Sequence, residues 1–413
     1  MALALLGLVA AMPAAASLLP AAETGVRPQK VPPPTPVPPF GSPSPFPSTL
    51  ETPSPSTQPP KIDAGSVALV DIDSGQVLFQ RRAGKRRPIA STTKIMTALL
   101  VLEESRPKDI VTASGNAALQ EGSILGLRQD EEITVRNLVS ALLLQSANDA
   151  AVALAEHVAG SVSEFVDRMN ARARELDALD TQFESPNGLD DRGYSTARDL
   201  AMMTVEAYRN ETFAEVVSRL AVRIPSPDGE ARHIQNRNAL LWLYPDAIGV
   251  KTGFTSAAGF CLVGAAERDG LRLAAIVLGA PDEAFSDAAA LLSFGFETFQ
   301  HRAVVEDGEV IGSVEVEGEE LDVAADGSLE LLVRRTADIE EIVVLDPTVM
   351  LPLTEGERVG EVIVRTGDEE LGRVPVVTVD EVRAPPEPPR PWWERAWDSI
   401  RTFIERILEA ILG

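Results

Sequence analysis

Short apolar runs separated by turn residues predict a sheet at both ends of the segment 66–280. SVALVDI, the turn Asp73-Ser74-Gly75 and QVLFQRR predict a first hairpin. A second hairpin is predicted within LVGAAERDGLRLAAIVLGA, with its turn near Arg268-Asp269-Gly270. The segment that contains Lys251-Thr252-Gly253 is predicted to be a strand leading into this second hairpin.

Between and after these strands the apolar residues recur at helical spacing. TTKIMTALLVLEES predicts a helix beginning at about Ser91, and DEAFSDAAALLSFGFETF predicts a later long one. EITVRNLVSALLLQSANDAAVALAEHVAG predicts two helices broken at 145–148, with Asp149 capping the second. Helices inserted between an early hairpin and later strands are typical of an α+β fold, in which helices flank an antiparallel sheet.

The pattern changes after residue 300. Short alternating strands broken by Gly, Asp and Glu predict a small all-β domain over 301–384, and a proline-rich linker follows at 385–391. Residues 392–413 predict an amphipathic helix with seven charged residues, and such a helix lies in a membrane interface rather than spanning it. Its apolar stripe consists of Trp393, Trp397, Ile400, Ile404, Ile407 and Ile411. The alternative is a helix that packs on its own protein or self-associates.

The N-terminal region predicts export. Residues 1–24 are apolar and alanine-rich, as in a signal peptide or an N-terminal anchor, although a positively charged start is missing. Residues 25–61 form a Pro-rich disordered linker, either a semi-rigid spacer or an inert pro-segment. The main folded domain is therefore expected over 62–300.

Composition excludes several classes of function. The net charge of −25 argues against binding nucleic acid, because no basic cluster is present to neutralise phosphates. Cys261 is the only cysteine, which excludes an intrachain disulfide. His157, His233 and His301 are far apart and lack the spacing of metal ligands. Neither a metal nor a cofactor is expected.

Three short motifs supply the candidate chemistry: Ser91-Thr92-Thr93-Lys94, Ser146-Ala147-Asn148 and Lys251-Thr252-Gly253. Together they provide a nucleophile beside a base, a hydroxyl with an amide, and a cation beside a hydroxyl. An acyl-transfer site without histidine needs these parts. The alternatives are that Ser91 only caps its helix and that Ser146 and Asn148 only break theirs.

The lysines strengthen the acyl-transfer interpretation. Only six of the 37 basic residues are lysine, and two of these six, Lys94 and Lys251, lie inside the motifs. At position i+3, the Lys94 amine can reach the hydroxyl of Ser91, which lies at a helix N-terminus. Burial and a nearby cation, for which Lys251 is the candidate, would lower the pKa of Lys94 and make it a base.

The text around these motifs resembles the serine-type D-alanyl-D-alanine carboxypeptidases of peptidase family S11, the low-molecular-mass penicillin-binding proteins. The matching segments extend over roughly 65–299 and include PIASTTKIMTALL, LLLQSANDAAVALAEHVAG, FESPNGLDDRGYSTARDLA, NRNALL and AIGVKTGFTSAAGFCLVGA. The resemblance implies a β-lactamase/transpeptidase-like fold and an enzyme that removes the terminal D-alanine of peptidoglycan pentapeptide stems. It further implies an acyl-enzyme, inhibition by β-lactams, and peripheral attachment to the outer, periplasmic face of the cytoplasmic membrane.

The same resemblance implies roles for individual residues. Ser91 is the nucleophile, Lys94 the general base and Ser146 the proton relay. The backbone N–H groups of Ser91 and Phe254 form the oxyanion hole. The residues implied to bind the substrate are Asn148, Lys251, Thr252, Gly253 and Thr255.

Some positions and alternatives stay open. Ser185 and Tyr194 stand where many relatives have Asn and His, which leaves the fine specificity open. A β-lactamase would need a glutamate that activates water, and Glu206 to Asn210 matches that pattern formally, although it is interpreted as a helix end. An endopeptidase of the same fold and a catalytically weak wall-binding protein are the further alternatives.

Overall fold

The computed structural model describes residues 50, 56–190, 192–282, 284–384 and 391–412. The predicted signal segment and most of the predicted proline-rich linkers lie outside the described residues.

The first part of the described chain contains strands β1–β9. Their bounds are β1 (Ser66–Asp71), β2 (Val77–Arg81), β3 (Ile110–Thr112), β4 (Glu132–Thr134), β5 (Ala221–Pro225), β6 (Ala231–Gln235), β7 (Ala247–Thr255), β8 (Gly259–Arg268) and β9 (Leu271–Ala280). The helices are α1 (Lys94–Glu104), α2 (Gly115–Ala118), α3 (Val135–Ser140), α4 (Asn148–Ala159), α5 (Val162–Glu175), α6 (Ala197–Tyr208), α7 (Glu211–Val217), α8 (Leu240–Leu243) and α9 (Phe285–Thr298). Both predicted hairpins and the predicted long helices are present.

Five of these strands form one antiparallel sheet in the order β2-β1-β9-β8-β7, with β7 at one edge. Helices cover both faces. Val67 and Leu69 of β1 therefore pack into one apolar core with α9, while Ala68 and Val70 pack into the other core with α1 and α4. Successive strand residues point to opposite faces, so a strand covered on both sides reads as a continuous apolar run. The predicted α+β fold is confirmed.

Helix α1 passes through the larger of these cores. All its residues from Lys94 to Leu102 are buried, because neighbouring elements cover the helix on every side. Helix α3 continues into a wider π-type turn at Ala141–Gln145, and Ser146 then adopts a left-handed conformation (φ 68°) before α4 begins. The helix break predicted at 145–148 is present.

One local prediction is wrong. Asp149 does not cap α4, since Ala147 is the residue at the cap position and Asp149 already lies within the helix. The Asp149 carboxylate instead accepts hydrogen bonds from the backbone N–H groups of Leu125, Gly126 and Leu127, at 2.8, 2.8 and 3.0 Å. A buried carboxylate is stabilised by such donors, and here it fixes the loop in front of α4.

The later strands form a separate all-β part with its own apolar core. Strand β10 (Phe299–Val305) pairs with β13 (Leu329–Arg334). A five-stranded sheet has the order β11-β12-β16-β15-β14. Its strands are β11 (Val310–Val316), β12 (Glu319–Ala325), β14 (Glu340–Leu345), β15 (Arg358–Thr366) and β16 (Glu369–Thr378).

The predicted C-terminal helix is present as α10 (Trp392–Leu412). Where the structure describes its side chains, the apolar stripe is exposed: Trp393 is 53% exposed, Trp397 66% and Ile404 49%. No helix in the described part of the chain is long and apolar enough to cross a membrane.

Candidate active site

Ser91 lies in a short 3₁₀ turn, Ala90–Thr93, that leads directly into α1. The turn is fixed by Thr92, whose backbone N–H and hydroxyl both donate to the carbonyl of Ile89, at 3.2 and 2.7 Å. This places the Ser91 hydroxyl in the wall of a cleft of about 620 Å³, while Lys94, one turn later, is completely buried behind it.

The Lys94 amine contacts three oxygen atoms. Its Nζ lies 3.0 Å from Ser91 Oγ, 2.9 Å from Asn148 Oδ1 and 2.6 Å from the carbonyl oxygen of Asn187. An amide oxygen and a backbone carbonyl can only accept, whereas a hydroxyl can also donate. When Lys94 is neutral, its two N–H groups therefore donate to Asn148 and Asn187, and its lone pair faces the Ser91 hydroxyl.

The surroundings of Lys94 favour this neutral form. The pKa of Lys94 is lowered from 10.5 to about 7, mainly by burial and also by the positive charge of Arg237, while Asp149 opposes the shift. The sequence predicts Lys251 as the cation that acts on Lys94, whereas in the structure this cation is Arg237. Burial also lowers the pKa of Lys251 strongly, with smaller effects of Lys94 and Arg237.

Asn148 joins the buried helices to the loop in front of them. Its Oδ1 accepts from Lys94, while its Nδ2 donates to the carbonyl of Glu121 at 2.7 Å and its backbone N–H donates to Ser123 at 2.7 Å. Ser146, two residues earlier, also lines the cleft. The helix break thus brings both polar residues of this motif to the cleft that contains Ser91.

The third motif lies on the edge strand β7, beside Ser91. A side chain at Gly253 would place its Cβ 3.0 Å from the backbone nitrogen of Ser91 and 3.1 Å from that of Thr92, so any other residue would be tightly packed against this turn. Lys251 is 1% exposed and donates from Nζ to the carbonyl of Thr252 at 2.7 Å. The three motifs, far apart in sequence, therefore meet at one cleft.

Not every predicted site residue reaches the cleft. Thr252, Gly253 and Phe254 line it, but Thr255 does not, and its Oγ1 accepts a hydrogen bond from the backbone N–H of Ala258 at 3.1 Å. Lys94 and Lys251 lie behind the lining, where they contact residues that form it.

Two groups at the site are not predicted by the motifs. The first is the carbonyl of Asn187, held by a bend in which Gly188 (φ +73°) packs against the carbonyl oxygen of Ala90, where no larger residue fits. The second is Arg237, which lines the cleft and forms no ion pair among the residues that the structure describes. The segments containing both were matched to the family, which was the only available signal.

The other positions singled out in the sequence lie apart from Lys94. Ser185 donates to Asp190 at 2.6 Å and accepts from the N–H of Gly188, so it stabilises the bend beside the site. Glu206, the formal match to a β-lactamase glutamate, lies in the last turn of α6, outside the cleft lining, and forms ion pairs with Arg172 and Arg209.

Comparisons with known proteins agree with this geometry. A family model described as D-alanyl-D-alanine carboxypeptidase (Peptidase_S11) matches residues 54–282, and one described as penicillin-binding protein 5, C-terminal domain, matches residues 299–384. The carboxypeptidase DacD of Escherichia coli K12 is 33% identical over 350 residues, covering 79% of this chain and 89% of the relative. DacF of Bacillus subtilis 168 is 30% identical over 335 residues, covering 78% and 86%.

Solved structures lead to the same family. Penicillin binding protein 6B from Escherichia coli has a TM-score of 0.64 at 30% identity, over 80% of this chain and 98% of that one. The chain belongs to the D-alanyl-D-alanine carboxypeptidase family, peptidase family S11. The family, the fold and the enzyme class predicted from the sequence, a serine-type D-alanyl-D-alanine carboxypeptidase, are confirmed.

Proposed function

We propose that this carboxypeptidase removes the terminal D-alanine of peptidoglycan pentapeptide stems through an acyl-enzyme on Ser91. The observation that carries the proposal is the set of Lys94 contacts, in which two partners can only accept and the third is the Ser91 hydroxyl. Neutral Lys94 removes the Ser91 proton as Oγ attacks the carbonyl between the two D-alanines. The terminal D-alanine leaves, and water then hydrolyses the ester.

Ser146 and Asn148 act at the leaving group and at the substrate backbone. Ser146 lines the same cleft as Ser91, which suits a hydroxyl that passes a proton to the departing amine. Asn148 is held by Lys94 and by the carbonyl of Glu121, so its amide has a fixed orientation toward a bound peptide. A fixed orientation matters because positioning supplies a large part of catalysis.

The substrate carboxylate binds beside Arg237 and Lys251. Arg237 lines the cleft, so an entering carboxylate gains from its charge. The same carboxylate would favour protonation of Lys251, whose pKa is lowered by burial. The hydroxyl of Thr252 completes this subsite, and Gly253 leaves room for the peptide beside β7. Thr255 lies outside the cleft lining and stays a prediction from the sequence. We add Arg237 to the carboxylate-binding residues predicted from the sequence.

The developing oxyanion is stabilised by the backbone N–H groups of Ser91 and Phe254. The close approach of Gly253 to Ser91 supports this assignment, because it holds the start of α1 against the edge strand. A β-lactam would acylate Ser91 in the same way and leave slowly, as is typical of the family.

The proposed location of the protein rests on its N-terminal segment and on α10. We propose that residues 1–24 direct export and that α10 lies on the outer face of the cytoplasmic membrane, with its exposed stripe in the interface. The domain boundaries given above stay predictions.

Mass spectrometry of muropeptides tests the reaction. The purified full-length chain is incubated with pentapeptide and crosslinked muropeptides, with Ser91→Ala as the control. Loss of one alanine, absent in the control, is the expected result. Cleaved crosslinks with intact pentapeptide would instead indicate the endopeptidase. No product from either substrate and no acylation by penicillin would leave the wall-binding protein.

A further inference from the structure

A dense run of positive charge lies just before the nucleophile in the sequence. In RRAGKRR, residues 81–87, five of the seven residues are basic and none is acidic, although the whole chain has a net charge of −25. Two of the five serve the fold, because Arg81 donates to two backbone carbonyls and Arg87 donates to a serine hydroxyl. The other three are exposed: Arg82, Lys85 and Arg86.

Folding brings a further cation to this run. Arg82 and Lys85 are the ends of one tight turn, in which the Lys85 N–H donates to the Arg82 carbonyl at 3.0 Å. The backbone N–H of Arg198, in the first turn of α6, donates to the carbonyl of Ala83 inside that turn at 3.2 Å. Arg198 is also exposed. We call Arg82, Lys85 and Arg198 the basic patch.

The basic patch keeps a charge that the protein does not neutralise. Acidic residues outnumber basic ones 62 to 37, yet none of the three patch cations forms an ion pair in the described part of the chain. The neighbouring carboxylates are engaged elsewhere: Asp180 pairs with Arg86 at 2.7 Å, and Asp199 accepts from the hydroxyl of Thr196. Single exposed cations are ordinary, but three that converge without carboxylate partners create a local positive field.

The basic patch lies close to the catalytic cleft. Residues 82–91 lead from it to the nucleophile, and Lys85 is six residues from the end of this segment, which limits the distance between the two Cα atoms to about 22 Å. The segment is held in place by the one that carries the Asn187 carbonyl, since Arg87 and Ser195 exchange backbone hydrogen bonds of 2.8 and 3.0 Å. An extended polymer bound at the cleft can therefore reach the basic patch.

The polymer on which the proposed function acts is a polyanion, and here the argument rests on that function. An untrimmed stem ends in the carboxylate of the last D-alanine, and a trimmed stem ends in the carboxylate of the one before. Every uncrosslinked stem along a glycan strand therefore carries at least one negative charge. A protein with a net charge of −25 is repelled by such a strand on average, so attraction has to be local.

We propose that Arg82, Lys85 and Arg198 form a second binding surface for peptidoglycan, which contacts the carboxylates of stems next to the one in the cleft. The surface keeps the polymer near the enzyme while successive stems enter the cleft, and so raises their effective concentration. A short peptide whose only carboxylate lies in the cleft gains nothing from this surface. The basic patch therefore favours polymeric over soluble substrate.

The rate of D-alanine release from two substrates tests this preference with the full-length enzyme. One substrate is uncrosslinked glycan strands with pentapeptide stems, and the other is acetyl-L-Ala-D-Ala-D-Ala. The variant is Arg82→Gln/Lys85→Gln/Arg198→Gln. At low salt we expect kcat/KM on the strands to fall about tenfold, the size expected for three exposed ion contacts, and kcat/KM on the tripeptide to stay unchanged.

The matched control removes the same three charges elsewhere. Arg106→Gln/Lys108→Gln/Arg174→Gln also replaces two arginines and one lysine, all exposed. Arg106 and Lys108 follow the end of α1 that is remote from the nucleophile, and Arg174 lies near the end of α5. Both triple variants have the same net charge, so a loss confined to the first reports on position rather than on total charge. Circular dichroism verifies that both are folded.

Binding without turnover is measured by pelleting with isolated peptidoglycan that has been freed of phosphate-containing polymers, using Ser91→Ala as the background. We expect the patch variant to bind about tenfold more weakly than the control at low salt. The difference should disappear at about 0.5 M NaCl, because salt screens exposed charges. It should also disappear when the carboxylates of the peptidoglycan are converted to methylamides.

The contrary outcomes separate the two proposals. Equal pelleting of patch and control variants, or a difference that survives methylamide conversion, overturns the second surface, while D-alanine release from the tripeptide leaves the carboxypeptidase intact. A difference seen only with phosphate-containing polymers or only with anionic vesicles overturns it as well. No D-alanine release from any substrate overturns the proposed function, whereas a carboxylate-dependent difference in pelleting would still support the surface.

Discussion

Helices α1 and α10 are both rich in apolar residues, yet their surroundings are opposite. From Lys94 to Leu102 every residue of α1 is buried, including the lysine, whereas Trp397 on α10 remains 66% exposed. The Lys94 amine of α1 is held by groups from α4 and from the bend at Asn187. The stripe of α10 lacks such a cover in the described chain. A buried amine therefore depends on hydrogen-bond acceptors that the protein provides, whereas an exposed apolar stripe is available to partners from outside.

Removing the buried Lys94 amine should have the largest effect. Lys94→Met keeps an unbranched side chain but deletes the base, and general bases contribute about 10²–10⁴-fold to rate. We expect acylation of Ser91 by a fluorescent penicillin to slow by about 10³-fold. The matched control is Lys108→Met, an exposed lysine just beyond α1. Equal acylation rates in both variants would contradict the assignment of Lys94 as the base.

The next test concerns the hydrogen bonds that Asp149 accepts from the loop 125–127, rather than the Lys94 base. Asp149→Ala leaves the backbone N–H groups of Leu125, Gly126 and Leu127 without their acceptor. A buried group left unsatisfied costs about 1–3 kcal/mol, so we expect the free energy of unfolding to fall by about 3 kcal/mol. Urea denaturation measures it. The control Asp167→Ala, an exposed acid on α5, should change it by less than about 0.5 kcal/mol.

The pH dependence of acylation tests the lowered pKa of Lys94 without a mutation. The pKa of Lys94 is lowered to about 7, and only the neutral amine acts as a base. Acylation should therefore rise about tenfold from about pH 6 to about pH 8 and then level off. Stopped-flow acylation by a penicillin, with buffers of constant ionic strength, gives the profile. A rate that keeps rising toward about pH 10 would mean that Lys94 keeps its ordinary pKa.

Lys94 and Asp149 also show what sequence can predict. The Ser91–Lys94 spacing lies within one helical turn, so the contact between them was predictable. The Asn187 carbonyl and Arg237 lie 93 and 143 positions from Lys94, and only tertiary folding brings them together. Asp149 follows a helix break, where an acid usually caps, and the capping prediction is wrong because the carboxylate accepts from three backbone N–H groups of the loop 125–127 instead.

The smallest expected effect concerns α10, the other side of the comparison. If the stripe of α10 enters a membrane interface, Ile404→Ser should weaken binding of the full-length chain to phosphatidylcholine vesicles about fivefold. This corresponds to about 1 kcal/mol for a partly buried side chain. Thr402→Ser, on the polar side of the helix, is the control. Residues 392–413 contain four acidic and three basic residues, so anionic lipid should not strengthen binding. Equal vesicle binding by both variants, or binding only to anionic vesicles, would mean that the stripe serves another contact, such as self-association of α10.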